Sequence, residues 1–142
     1  MMYRVMLSIQ GRQAYQDQEP EVIELVTEGV MSRENDTWSI TYEESDLTGL
    51  AGVTTTFSIS PGKITLTRKG ALNSQMIFEE GVFHESLYET EFGALMITVC
   101  ASKANCNLSE NGGTIDLTYA IEIENTSTGI IDYQLDVQLK AK

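Results

Sequence analysis

The strongest constraint on the fold lies near the C-terminus. There the segment TIDLTYAIEIEN alternates Ile115, Leu117, Tyr119, Ile121 and Ile123 with Asp116, Thr118, Ala120, Glu122 and Glu124. A period of two places one set of side chains on each side of an extended chain, so this is a strand with one buried face. After the polar NTSTG, the segment IIDYQLDVQLKA puts Ile131, Tyr133, Leu135, Val137 and Leu139 on one face in the same way. The two strands are expected to form a hairpin. With Asn125 to Gly129 as its loop, Ile121 would face Tyr133, Leu117 would face Val137, and Glu122 would lie beside Asp132 on the solvated side.

The same alternation recurs upstream. Tyr3, Val5, Leu7 and Ile9 give a first strand, followed by a polar loop from Gly11 to Pro20. Residues 21–34 are rich in β-branched side chains, but both parities are apolar, and Gly29 suggests a bulge or bend. Asn35-Asp36 is a two-residue turn into a strand with Trp38, Ile40 and Tyr42 on one face. Beyond a Gly-rich break at Leu47 to Gly52, Val53, Thr55, Phe57 and Ile59 share a side, and Pro61-Gly62 turns the chain into Ile64 and Leu66. Strand-length pieces continue past Gly70, Gly81 and Phe92-Gly93. Residues Ser102 to Gly113 read as a loop ending in the turn signal Asn111-Gly112-Gly113.

About ten short strands with no helical period specify an all-β protein. A single domain over residues 1–142 is expected, an antiparallel meander closed into a barrel of about 8–10 strands. Closure is favoured over a sandwich because it removes the exposed edges of a meander.

Several short motifs support this reading. They are Tyr42-Glu43-Glu44, the R-x-G of Arg68 and Gly70, SQMIFEEG from Ser74 to Gly81, LYET from Leu87 to Thr90, FGAL from Phe92 to Leu95, and ENGG from Glu110 to Gly113. In this order they resemble the YwiB-like proteins, small bacterial proteins of unassigned function. The resemblance implies a calycin-type, lipocalin-like β-barrel and supplies no catalytic residues.

Charge narrows the function classes. Nine Lys and Arg against 21 Asp and Glu give a net charge of −12. That balance opposes the counterion release that drives nucleic-acid binding, and it repels anionic lipid. Neither partner is expected. No run approaches a membrane span, and Arg4, Ser8 and Gln10 interrupt any export signal, so the chain reads as soluble and cytoplasmic. Cys100 and Cys106 fit a reducing compartment, and their spacing makes no metal motif.

Arg68 is the most informative side chain, because the alternation Ile64, Leu66, Arg68 aims a guanidinium at the core side. Glu44 continues the parity of Trp38, Ile40 and Tyr42 and is its natural inward partner. A role at the rim or in an ion pair outweighs ligand binding, since buried charges are usually paired. In a small barrel the interior is either filled or just wide enough for one small molecule, which Tyr42, Tyr88, Tyr119 and Tyr133 could line with their hydroxyls. His84 stands alone without a catalytic neighbourhood, and the members of Glu43-Glu44 and of Glu79-Glu80 point to opposite faces.

The expected function is therefore non-enzymatic and needs no cofactor. The first expectation is a binding module with its mouth near Arg68, Glu44 and Tyr42, taking a small, partly apolar or anionic ligand. The alternative is an interaction or scaffold protein that presents an acidic outer sheet to a basic partner.

Overall fold

The computed structural model describes residues 2–14, 21–45, 51–124 and 126–140. Ten strands follow one another: β1 (Met2–Ala14), β2 (Glu21–Glu34), β3 (Thr37–Glu43), β4 (Val53–Ser60), β5 (Lys63–Gly70), β6 (Asn73–Phe78), β7 (Phe83–Thr90), β8 (Gly93–Ser109), β9 (Gly112–Ile123) and β10 (Thr126–Leu139). Each pairs antiparallel with its neighbour in sequence, and β1 pairs with β10, so the meander closes into a barrel. The described residues contain no helix.

The register stacks the inward side chains of β3 to β6 into rows, one above another. Trp38, Ile59, Ile64 and Phe78 face one another in the first row. Ile40, Phe57, Leu66 and Met76 form the second, which is buried throughout. The third row is polar: Tyr42 faces Thr55, Thr55 faces Arg68, Arg68 faces Ser74, and Ser74 faces Tyr88 on β7. Across the barrel Val5, Leu7 and Ile9 of β1 meet Leu135 and Val137 of β10, completing the apolar interior. Burial of these rows is the main favourable term in folding.

The two ends differ. At the Trp38 end β8 runs on past its neighbour β7, from Ser102 to the turn at Glu110 and Asn111, and this extension pairs along its length with β9, which stays in the wall against β10. Ala104 and Leu108 of this extension pack against the core and, with Trp38 and Ile59, line a groove of about 380 Å³ at that end. Residues 102–109 read as a loop from sequence because of their polar composition, yet they are strand: Ala104, Cys106 and Leu108 alternate with Lys103, Asn105 and Asn107, and ladder hydrogen bonds to β9 hold them. A register shift between Ala101 and Lys103 starts the extension, and Glu80 fixes it by accepting a hydrogen bond from the Ala104 N–H at 3.3 Å.

Other expectations also change. The C-terminal hairpin forms, but Tyr133 faces Leu117 and Gly129 faces Ile121, a slip of four residues from the expected register. Ile123 already pairs with Thr126, so the turn is tighter than a loop from Asn125 to Gly129, and an irregularity between Ser127 and Gly129 absorbs the extra residue. Asn125 itself lies outside the described residues. Because four is even, every side chain keeps its face. Asp132 consequently faces Thr118, which donates to it at 2.8 Å, and not Glu122.

Gly11 to Ala14 continue β1 instead of beginning a loop, while residues 15–20, and 46–50 of the Gly-rich break, lie outside the described residues. Gly29 makes no bulge, since its pairing with Val5 is in unbroken register. A Cβ there would meet the Leu7 Cδ1 at 2.7 Å and the Thr41 carbonyl at 2.9 Å. Close approach of neighbouring groups explains this glycine. The turns at Asn35-Asp36 and Pro61-Gly62 fall where the sequence places them.

Candidate functional site

The hollow end lies opposite the extension of β8, where β3 and β5 finish and β10 enters the barrel. Alternation carries Tyr42 of β3 and Arg68 of β5 into the third row, and Glu44, two residues past Tyr42, keeps the same inward parity. Tyr133 of β10 comes from the opposite wall. Together these four line a cavity of about 160 Å³ whose remaining wall includes Ile9, Leu25, Ile131 and, at its edge, Ile23 and Arg12.

Glu44 is 8% exposed and accepts a hydrogen bond from the Thr55 hydroxyl at 3.1 Å. Its Oε2 lies 3.9 Å from the Nε of Arg68, an ion pair longer than a hydrogen bond. Neighbouring Glu43 points outward and accepts from Thr54 at 3.0 Å, so the two acids serve opposite faces. The Tyr42 and Tyr133 hydroxyls approach across the barrel at 3.4 Å, and the Tyr133 ring packs on Phe57 with centroids 5.7 Å apart. Burial raises the pKa of Tyr42, and of Tyr133 further, which keeps both hydroxyls protonated as donors.

The structure thus brings Arg68, Glu44, Tyr42 and Tyr133 to one cavity. The other two tyrosines go elsewhere. Tyr119 is 6% exposed and packs on Phe78, with ring centroids 4.7 Å apart and its pKa raised by burial to about 12. It does not line the cavity, although its register partner Ile131 does; its ring is taken up by Phe78. Tyr88 is half-buried at the far end of the polar row and does not line the cavity.

Three participants escape simple pattern reading. Thr55 and Ser74 are polar residues at inward parity, and Thr55 was visible as the hydroxyl among Val53, Phe57 and Ile59. Arg12 sits in a stretch that looks like a loop. His84 is half-buried, with its Nε2 3.0 Å from a Glu79 carboxylate oxygen. Among the described residues no group of three or more His, Cys, Asp or Glu could hold a metal ion.

Fold and site together define a small, closed β-barrel whose ten strands pair antiparallel and which holds a polar-mouthed cavity at its Tyr42 end. The chain belongs to the family described as "Domain of unknown function (DUF1934)", which matches residues 7–137. It is 29% identical over 108 residues, 75% of this chain and 74% of the relative, to the uncharacterized β-barrel protein YwiB of Bacillus subtilis. The crystal structure of the ywiB protein from Bacillus subtilis matches with a TM-score of 0.86 at 20% identity, covering 99% of this chain and 94% of that one. At that identity the likeness is one of fold. The YwiB-like resemblance of the sequence motifs agrees with all three findings.

Proposed function

We propose that the barrel is a lipocalin-like binding module that receives one small, partly apolar molecule at its hollow end. One observation carries this reading: a cavity of about 160 Å³ with an apolar wall and a cluster of oriented polar groups at Arg68, Glu44, Tyr42 and Tyr133. A cavity of roughly 150 Å³ accommodates benzene. Drug-sized ligands need about 300 Å³ or more, so the ligand is a fragment of that smaller kind. Apolar wall supplies affinity and the polar cluster supplies orientation. Two cations, Arg12 and Arg68, line the cavity against the single acid Glu44, a local excess opposite in sign to the chain's −12. The free thiols Cys100 and Cys106 suit a cytoplasmic setting.

Native mass spectrometry of protein purified from its own host tests the reading. A retained small molecule, released on denaturation, is the expected result. A bare chain whose Tm is also unmoved by a panel of small aromatic and branched compounds overturns it.

A second reading rests on the outer face of β7 and β8. There Phe83 is 70% exposed and Phe92 92%, with Leu87 and Met96 also open to solvent. From Ala71 to Ser102 the chain carries Glu79, Glu80, Glu85, Glu89 and Glu91 and no Lys or Arg. An apolar face within an acidic field suits a partner with a basic rim. The same spectra test this: a retained protein partner lost from a Phe83→Ser/Leu87→Ser variant supports it, and the absence of any partner overturns it.

A further inference from the structure

The seams of the barrel wall are not paired to equal length. β2 runs from Glu21 to Glu34, yet its ladder to β3 covers only Val30 to Glu34. From Glu21 to Gly29 it is held by β1 on one side, and among the described residues no strand lies on the other. We propose that this open edge pairs with the same edge of a second copy of the chain, antiparallel about a two-fold axis at Leu25.

Alternation decides which groups the edge offers. Successive residues of a strand aim their N–H and C=O at opposite neighbours. The Lys140 N–H donates to the Arg4 carbonyl at 3.0 Å, so even-numbered residues of β1 bond β10 and odd-numbered ones bond β2. Val5 faces Gly29, which turns the odd-numbered residues of β2 toward β1. The Glu44 N–H, donating to the Val53 carbonyl at 2.9 Å, gives the same parity from the β3 side. Val22, Glu24, Val26 and Glu28 therefore aim their backbone groups at the open side, a template for another strand.

The side chains select the occupant. Val22, Ile23 and Val26 are exposed, and neither Lys nor Pro blunts the edge from Glu21 to Gly29. A two-fold contact needs a surface that matches itself. Leu25 is the midpoint of the edge, and an axis there sets Glu24 opposite Val26 and Glu28 opposite Val22. Moving the axis to Glu24 would set the two copies of Glu24 face to face, and moving it to Val26 would set Glu24 against Glu28. Like charges directly opposite are destabilising, so the central register is selected. Glu28 is already paired with Lys140 in its own chain, which leaves only the two Glu24 carboxylates, diagonal across the axis, to repel. Ile23 and Leu25 line the end cavity, so the added strand lies beside its mouth. A single strand pair is far smaller than the roughly 20–30 residues a side of a standard interface, so the dimer is weak and concentration-dependent.

Sedimentation velocity over a concentration series of the full chain tests this, and a monomer–dimer equilibrium is expected. Val26→Pro removes an N–H that bonds nothing within the chain and leaves the ladder to β1 intact. It should weaken the dimer about tenfold or more, one bond being lost from each copy, with the far-UV circular dichroism of the monomer unchanged. Val26→Lys sets a lysine opposite Glu24 of the second copy and should tighten the dimer about threefold, although a lysine on an edge ordinarily blocks pairing. If Val26→Pro does not fold, Val26→Lys alone decides. A monomer at every concentration overturns the proposal, and capture of an extended peptide by that monomer would give the edge to another protein. A dimer that survives a folded Val26→Pro, or that is lost in Phe83→Ser/Leu87→Ser, uses a different face and also overturns it. Weakening by Val26→Lys overturns the register at Leu25.

Discussion

The two ends of the barrel are built from the same strands in the same alternation, yet they solve opposite problems. At the Trp38 end the rows are apolar and the extension of β8 lays Ala104 and Leu108 against them, with only an outer groove left between. At the Tyr42 end the same strands deliver Thr55, Arg68 and Ser74 to the interior, and the space above them stays hollow. One end is arranged for stability, while the other keeps buried polar groups that a purely stable barrel would replace by leucine or valine. Polar groups retained inside at a cost mark a functional region better than exposed ones do.

Variants at the two ends test that division. Phe57→Ala, in the fully buried second row, is expected to cost about 3–5 kcal/mol through lost burial and the cavity left behind, measured by urea denaturation. A cost below that of any polar-row variant would break the division between the two regions.

Alkali should act next in size. Tyr119, packed on Phe78, has its pKa raised to about 12 by burial, above the value of 10 of an ordinary tyrosine. Its contribution to stability is whole below pH 10. It is lost as the pH rises toward 12, because the unfolded chain releases the phenolic proton first. The loss is on the order of 2–3 kcal/mol over that window, and Tyr119→Phe should flatten it in denaturation curves taken at pH 9 and pH 11.5. Tyr42 and Tyr133 shift in the same direction, so the alkaline fall in Tyr119→Phe becomes shallower without vanishing. An unchanged profile would mean that Tyr119 titrates in contact with solvent.

Arg68→Met ranks below these. The ion pair to Glu44 is long and lacks a hydrogen bond from Nε, so a stability loss of about 1–2 kcal/mol is expected, below the cost of breaking a tight buried pair. A folded Arg68→Met protein that no longer shifts its Tm with small acids would sharpen the contrast between the ends. An unfolded one would place Arg68 among the structural residues. Smallest of all, Phe92→Ser on the exposed turn should alter stability by less than about 0.5 kcal/mol, yet lower the binding of a hydrophobic dye.

Much of this architecture can be read from residues. Period-two alternation gives the strands, and Asn35-Asp36 and Pro61-Gly62 give turns at the right places, because both depend on local chemistry. Parity also takes Arg68 and Glu44 to the same interior. The hairpin register is another matter. Ile121 keeps its face whether it opposes Tyr133 or Gly129, and Leu117 whether it opposes Val137 or Tyr133, so alternation is blind to an even slip, and a tighter turn chose between the registers. The extension of β8 escapes notice for a different reason. Ala104, Cys106 and Leu108 do alternate with the solvent-facing Lys103, Asn105 and Asn107, but the stripe is short, has one large apolar side chain, and is obscured by the polar residues around it. Ser74 looks like any strand serine until its burial and its pairing with Arg68 are known, which only the assembled barrel supplies.

The pairing of β1 with β10 has a consequence in the order of synthesis. Val5 meets Leu139, and every interior row waits on that last seam. Local hairpins can form as the chain emerges, but the wall cannot close until β10 has been made, and contacts so distant in sequence form slowly. Until then β1 and β9 present open edges that can pair with other chains. A chain interrupted before β10 would leave these edges exposed permanently, and the cavity at the Tyr42 end, walled in part by Ile131 and Tyr133, would not exist. Truncation at this one seam should therefore remove the cavity and turn a self-contained barrel into a chain prone to aggregation.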